Sequence, residues 1–561
     1  MNEIYNVIEK NKDTYILSNG KQDEKLEELK SIPLSKRSDK SKAKFLFKNE
    51  VRSNQKIFEK YSSKFSKRSD NSTIEYIPID SALVNYICPI SNFYAISVYL
   101  SEKTAKIVCG MDYVLFCEKD KTYSEKSKFK RSTSINDNNN NNNNNNNSSI
   151  YYDINAIKKE TKWSDVSVQQ ISYSPNHLSL ISQSPFANPN KQLDTNFYYP
   201  SSAGKGIDIY FIDMGLINKH EDYDTYKGTS DERVITCDAI ITGNSVHFTT
   251  DEEKNNCSSV DGIPYHGIMV TSVAGGSLYG VAKKANLHMI AADNTSINIL
   301  KGFDIILQKA IPHKTVISLS LGNIGNYSTA EKFKLTDLIN KGFIVVVSAG
   351  NDNINCCEDK SSSNFYTFTG YRKAIAVGAT GTKFNGYGLN IAYYSNYGDC
   401  VDIYAPGTVT YPDLESGSFT GTGFSSGTSC STPLVAGVVA SIMSEYPEIQ
   451  FDNDKMKKTL IEMSIKNAID FKDSDITNDT PNRFINNGKQ SIYYLDQNVQ
   501  CGKNSKDGNI CSDGCCTKEG KCISFENHPG DQCFIENGCQ SEFGYCTTKE
   551  KSIEECEKEL K

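Results

Sequence analysis

Between residues 206 and 407 short apolar runs recur along the chain: GIDIYFID (206–213), LHMIAAD (287–293), TVISLSLGN (315–323), FIVVVSAGN (343–351), AIAVGA (374–379) and VDIYAPG (401–407). Short runs without a polar face are strands buried on both sides, which is the signature of a parallel sheet. Stretches such as HGIMVTSVAGG (266–276) read as helices between them, so the expected class is α/β. In such sheets chemistry collects at the carboxyl ends of the strands, where Asp213, Gly322 and Asn351 stand.

The pattern differs outside this region. YAISVYLSEKTAKIVCGMDYVLFCEKD (94–120) alternates as a strand, then reads as a helix from near Ser101, then as a second strand: a small α+β unit. Residues 138–147 are ten consecutive asparagines, which have no apolar surface to bury and form a flexible linker. The expected organisation is an N-terminal segment over 1–130 whose compact region ends near 120, then a linker over 131–162. A large domain over 163–490 and a small cysteine-rich module over 501–546 follow.

Composition narrows this picture. A chain of 561 residues is too long for one ordinary core. The net charge of −7, without a basic stripe, argues against a nucleic-acid partner, and no apolar run reaches the length of a membrane span. Of 18 cysteines, nine fall before residue 431 and nine lie between Cys501 and Cys556. That density predicts a disulfide framework and an oxidising compartment, hence an extracellular protein. The first residues, MNEIYNVIEKNKDTYILSNG, have no apolar core of signal-peptide length, and the cysteines carry more weight.

The chemistry is read from four positions. In GTGFSSGTSCSTPLVAGVVASIM (421–443) a Gly/Ser/Thr run turns into an apolar helix, with Pro433 suited to the first turn. Ser429 at this junction is either part of an ordinary helix start or a nucleophile at the positive helix end. Asp213 ends a strand, His266 enters a small-residue helix, and Asn351 ends a strand with an amide able to donate to an oxyanion. Each has a plain structural alternative: a capping Asp, a core His, a turn Asn.

Their order, Asp, His, Asn, Ser, and the motifs around them resemble the subtilases, close to the fungal secreted and proteinase K-like members. YFIDMGL, HGIMV, SLSLG, SAGND, VDIYAPG and GTSCSTPLVAG carry the resemblance, from about Trp163 to about residue 490. It implies a subtilisin-like serine endopeptidase acting on polypeptides. Asp213, His266 and Ser429 would be the catalytic triad, and Asn351 the oxyanion donor. Ser320, Leu321 and Gly322 would be the strand that pairs with substrate. Catalysis would need no cofactor or metal; structural calcium is frequent in the family, but no ligands are assigned. The chain departs from the family pattern at Ile268, Thr271, Ser272 and Ser431, all outside the triad.

The 94–120 region resembles the end of subtilase inhibitor propeptides, which implies a zymogen inhibited by its own prosegment. Basic sites at SKRSD (35–39 and 66–70) and FKRS (129–132) are candidate processing points, with removal expected between Lys130 and Trp163. The 501–546 tail resembles hevein-like chitin-binding modules. Family pairing implies Cys501–Cys516, Cys511–Cys522, Cys515–Cys533 and Cys539–Cys546. The positions that supply a Ser and two aromatics in that family are Thr517, Glu519 and Lys521 here, so chitin or another wall glycan would be held weakly at best. The competing reading is a catalytically inactive relative acting as a chitin- or wall-binding protein; filled catalytic positions speak against it. A metal-dependent enzyme lacks a paired-His motif such as HExxH.

Overall fold

The computed structural model describes residues 2–11, 84–90, 93–122, 128–130, 152–170, 177–187, 194–243, 245–325, 327–384, 388–414, 420–471, 476, 479–494, 501–503, 511, 514–524 and 530–547. The asparagine tract, the basic sites at 35–39 and 66–70 and most of the 131–162 linker lie outside these residues. The N-terminal part contains helix α1 (Asn2–Lys10), strands β1 (Val84–Ile90) and β2 (Phe93–Val98), and helix α2 (Glu102–Cys109). The two strands pair antiparallel, and Ser101 caps α2 by accepting from the Thr104 N–H at 3.1 Å. Ile4 and Ile8 of α1 pack with Val108 of α2. The second strand expected after the helix is not formed. The Cys109–Cys117 bond and a Val114-to-Met111 turn fold that stretch back, and β1 takes the place beside β2. Strand β3 (Lys128–Lys130) and helix α3 (Ile154–Thr161) follow.

The large domain is organised by a parallel sheet. Its strands are β4 (Asp208–Asp213), followed by the short β5 (Gly215–Ile217) outside the sheet, then β6 (Ile235–Thr242). After helix α4 (Tyr265–Gly275) come β7 (Asn286–Ala292), α5 (Ser296–Lys309), β8 (Thr315–Leu319), α6 (Thr329–Asn340) and β9 (Ile344–Ser348). Strands β10 (Ile375–Phe384) and β11 (Ile403–Pro406) complete the parallel set. The hairpin β12 (Thr408–Asp413) and β13 (Gly421–Ser426) then leads into helix α7 (Thr428–Glu445). In space the parallel strands run β11-β10-β9-β8-β4-β7-β6.

Alternation along these strands feeds two cores. Ile209, Phe211, Val316, Ile344 and Val346 face α4 and α7, while Tyr210, Ile212, Ile317, Val345 and Val347 face α5 and α6. Helix α7 is buried from Thr428 to Met443, which explains why its sequence has no polar face. Cys88 and Ile90 of β1 join the α5/α6 side, so the N-terminal hairpin packs against the back of the large domain. Among the described residues no helix is long and apolar enough to cross a membrane.

In the tail, Cys501–Cys516, Cys511–Cys522, Cys515–Cys533 and Cys539–Cys546 are joined. Its apolar clusters are built mainly of these half-cystines, helped by Phe543 and Ile523. Disulfides here replace the core that so few residues cannot supply.

Candidate active site

Asp213 is the last residue of β4, and its carboxylate is anchored by the Met214 N–H at 2.8 Å. His266 is the second residue of α4, and both carboxylate oxygens of Asp213 lie 2.9 Å from its Nδ1. Both side chains are almost fully buried. Gly267 permits this approach: a Cβ there would lie 2.0 Å from the Gly215 carbonyl oxygen, so any side chain would push α4 away from the start of β5. An Asp at Nδ1 fixes the tautomer with its proton there, leaving Nε2 as the basic nitrogen.

Ser429 is the second residue of α7, behind Gly427 at the N-cap. The helix begins earlier than the proline suggests: Pro433 lies inside it and not in its first turn. A proline has no N–H for the carbonyl four residues back, which here belongs to Ser429. Ser320 donates to that carbonyl instead, through its Oγ at 3.1 Å. The substitution ties the 320–322 segment directly to the Ser429 backbone. The Ser429 hydroxyl is buried and has no hydrogen-bond partner among the described residues, His266 included. Such contacts are often long without substrate.

Asn351 follows β9 and faces the same helix start. Its Oδ1 accepts from the Thr428 N–H at 2.8 Å and from the Thr428 hydroxyl at 2.9 Å. The amide NH2 therefore points to the opposite side, toward Ser429. A Cβ built on Gly427 would meet Asn351 Nδ2 at 3.3 Å and Ser429 Oγ at 2.9 Å. A second clamp is Asn396, whose Nδ2 donates to the Ala349 carbonyl and whose Oδ1 accepts from Asp352 and Ile354. Sequence reasoning missed Asn396 and the orienting role of Thr428. The first lies far from any motif; the second sits inside one, and its pairing with Asn351 is a long-range contact.

The departures from the family pattern have partners. Thr271 accepts or donates with the Tyr223 hydroxyl at 2.8 Å, and Ser272 donates to the buried Asp222 carboxylate at 2.6 Å. Ser431 donates to the Ala405 and Pro406 carbonyls, each at 3.2 Å, joining α7 to the end of β11. Ile268 is fully buried in the core. Cys430, next to Ser429 in the chain, is a free thiol whose pKa burial pushes up to about 12, hence protonated and unreactive at neutral pH. Cys237–Cys257 and Cys357–Cys400 are bonded in this domain.

The N-terminal segment reaches the site from two directions. Glu118 Oε1 accepts from the Thr329 N–H at the start of α6, at 2.7 Å, and the Lys121 carbonyl accepts from the Ser296 N–H at 2.9 Å. Thr122 bridges Thr295 antiparallel and its carbonyl accepts from Asn323 at 3.1 Å. Beyond that, β3 pairs antiparallel with β13, placing Lys128 opposite Ser426 and Lys130 opposite Phe424, just before Ser429.

Residues 204–489 match the family model of the subtilase family, Peptidase_S8. The chain is 33% identical over 262 residues to an extracellular serine proteinase of Thermus sp. (strain Rt41A), covering 46% of this chain and 54% of that one. It is 28% identical over 340 residues to the subtilisin-like serine protease pepC of Aspergillus niger, covering 56% and 55%. Among solved structures, a cold adapted subtilisin-like serine proteinase matches at 25% identity and TM-score 0.41, covering 55% of this chain and 97% of that one. The chain thus spans about half the length of the curated relatives it matches. With the family model covering more than half of its residues, the chain belongs to the subtilase family.

Proposed function

We propose that the chain is a serine endopeptidase that hydrolyses polypeptides through Asp213, His266 and Ser429, with Asn351 in the oxyanion hole. The observation that carries this reading is the buried Asp213–His266 pair together with a buried Ser429 hydroxyl that has no hydrogen-bond partner among the described residues. His266 Nε2 takes the Ser429 proton as Oγ attacks the peptide carbonyl. Asp213 holds the ring and stabilises the imidazolium. The Ser429 N–H, freed by its place in the first helical turn, and Asn351 Nδ2 receive the developing oxyanion. His266 then hands the proton to the departing amine, and water repeats the sequence on the acyl-enzyme. Residues 320–322 accept the substrate as an added strand.

Calcium would be structural only. The closely grouped ligand sets among the described residues, Cys356/Cys357/Cys400 and Cys501/Cys511/Cys522, are sulfur, and all but Cys356 are in disulfides. That chemistry does not suit a hard cation.

Self-inhibition before processing belongs to the same reading. It is supported by the flanking of the site, with Thr122 on the Thr295 side and Lys128–Lys130 on the β13 side. An extracellular location is supported by the disulfides and by the name of the Thermus relative. The tail is proposed to be a hevein-like scaffold with a weakened sugar surface, because Glu519 and Lys521 are exposed where stacking needs aromatic planes.

The decisive experiment is labelling of processed protein with a fluorophosphonate probe. Covalent labelling of wild type that disappears in Ser429→Ala supports the proposal. Wild-type protein that is processed, folded and unlabelled overturns it.

A further inference from the structure

Strands β8 and β9 run side by side up to the pair Leu319–Val347, after which their chains separate. Residues 320–322 leave on one side and residues 349–351 on the other. Both segments adjoin the nucleophile, through the Ser320–Ser429 bond and through Asn351. On the protease reading, the residue whose carbonyl is attacked has its backbone along 320–322 and its oxygen at Asn351. Its side chain must therefore enter the gap between the two segments.

That gap is occupied by the ring of Tyr366. A Cβ on Gly322 would lie 2.4 Å from Tyr366 Cε1, and a Cβ on Gly350 would lie 2.4 Å from Tyr366 Cζ and 2.6 Å from Cε2. Two glycines on opposite segments thus touch the same ring tip. The ring is only 6% exposed and is held on a pinned loop. Tyr366 bridges Ile324 antiparallel, the Gly325 N–H donates to the Phe365 carbonyl at 2.6 Å, and the Thr367 N–H donates to the Asn323 carbonyl at 2.9 Å. Thr369 Oγ1 donates to the Ser348 carbonyl at 2.8 Å, tying the same loop to the end of β9. Moving the ring away would break several of these bonds together.

We infer that Tyr366 is the specificity-determining residue for the acyl side of the scissile bond, and that it restricts this position to small side chains such as Gly, Ala and Ser. The inference rests on the protease reading. A large side chain would have to overlap the ring, and close-packed sites resist insertion of that volume. Removing the ring opens space for an aromatic side chain in its place.

The test compares processed wild type with Tyr366→Ala and Tyr366→Phe on two tetrapeptide p-nitroanilides, alike except for Ala or Phe next to the cleaved bond. Wild type is expected to favour Ala over Phe by at least roughly tenfold in kcat/KM. Tyr366→Ala should raise the Phe/Ala ratio at least roughly tenfold, whereas Tyr366→Phe, which keeps the ring, should leave the ratio unchanged. Cleavage sites of wild type on reduced insulin B chain supply a readout that no variant's folding affects, and should follow small residues. Cleavage after Phe, Tyr or Leu by wild type overturns the inference while the protease reading stands. Loss of all cleavage together with loss of fluorophosphonate labelling at Ser429 overturns both.

Discussion

The carboxamide oxygen of Asn351 accepts two hydrogen bonds from one residue, the N–H and the hydroxyl of Thr428, one position before Ser429. The Thr428 hydroxyl in turn accepts from the Gly350 N–H at 3.1 Å, so a single threonine locks the loop after β9 to the start of α7. An oxyanion donor is useful only if its orientation is set before charge develops. Asn351→Ala should lower kcat by roughly two to three orders of magnitude with KM little changed. Thr428→Val, which keeps the shape and the N–H contact, should lower kcat by roughly one order. Steady-state kinetics on a peptide anilide separates the two. An Asn351→Ala variant with full kcat contradicts the assignment.

Substituting Ser429 or His266 tests maturation as well as hydrolysis. Ser429→Ala and His266→Ala should each abolish casein hydrolysis while keeping the fold. If processing is autocatalytic, the Ser429→Ala chain should stay full length on a denaturing gel. If an outside dibasic protease acts, it should be cut near Arg131. Full-length wild type that is active without any cleavage contradicts the zymogen scheme.

Gly267, next to His266, packs against the Gly215 backbone. With a Cβ 2.0 Å from the Gly215 carbonyl, Gly267→Ala must displace α4 or β5. The variant should lose at least roughly tenfold in kcat and about 1–3 kcal/mol of stability by overpacking. Kinetics and thermal unfolding read the two losses separately. Unchanged kcat would show that His266 tolerates the shift.

Acid stability should depend on His177. Its ring is buried, with Nε2 2.9 Å from the Tyr279 carbonyl and Nδ1 facing the Thr410 N–H at 3.4 Å, an arrangement made for the neutral ring. Burial, aided by nearby Lys283, pushes its pKa from 6.5 down to about 4. The unfolded chain therefore binds more protons than the folded one between these values. Stability present above pH 6.5 is lost as pH falls toward 4, by up to about 3 kcal/mol. His177→Gln cannot titrate, so its urea midpoint should fall less between pH 7 and 4 than that of wild type. Parallel curves would remove His177 from the account.

The tail offers a separate test. Because its clusters are made of half-cystines, reduction should unfold residues 501–546 and leave the large domain's sheet intact. The isolated, oxidised tail should be retained weakly on chitin, and Glu519→Trp/Lys521→Trp should strengthen retention. Equal retention of both proteins would show that the exposed charges are not the cause.

Several features of this chain are decided by sequence alone. The apolar runs ending at Asp213, Gly322 and Asn351 dictate buried parallel strands, because no other element hides so many consecutive apolar side chains in so few residues. The order of Asp213, His266, Asn351 and Ser429, with the motifs around them, points to one chemistry. Other features depend on contacts between positions far apart along the chain. The stretch after Cys109 alternates like a strand, yet the partner edge belongs to β1 and the Cys109–Cys117 bond turns it away. Pro433 looks like a helix start, yet the helix begins at Thr428, with Ser320 answering the carbonyl that the proline leaves unpaired. Ile268, Thr271, Ser272 and Ser431 look like departures until Tyr223, Asp222 and the end of β11 are beside them. Tyr366 is one aromatic among many until folding wedges it between Gly322 and Gly350. Local sequence determines which backbone hydrogen bonds a segment can make with itself; only tertiary packing determines which distant group fills each remaining valence and each remaining space.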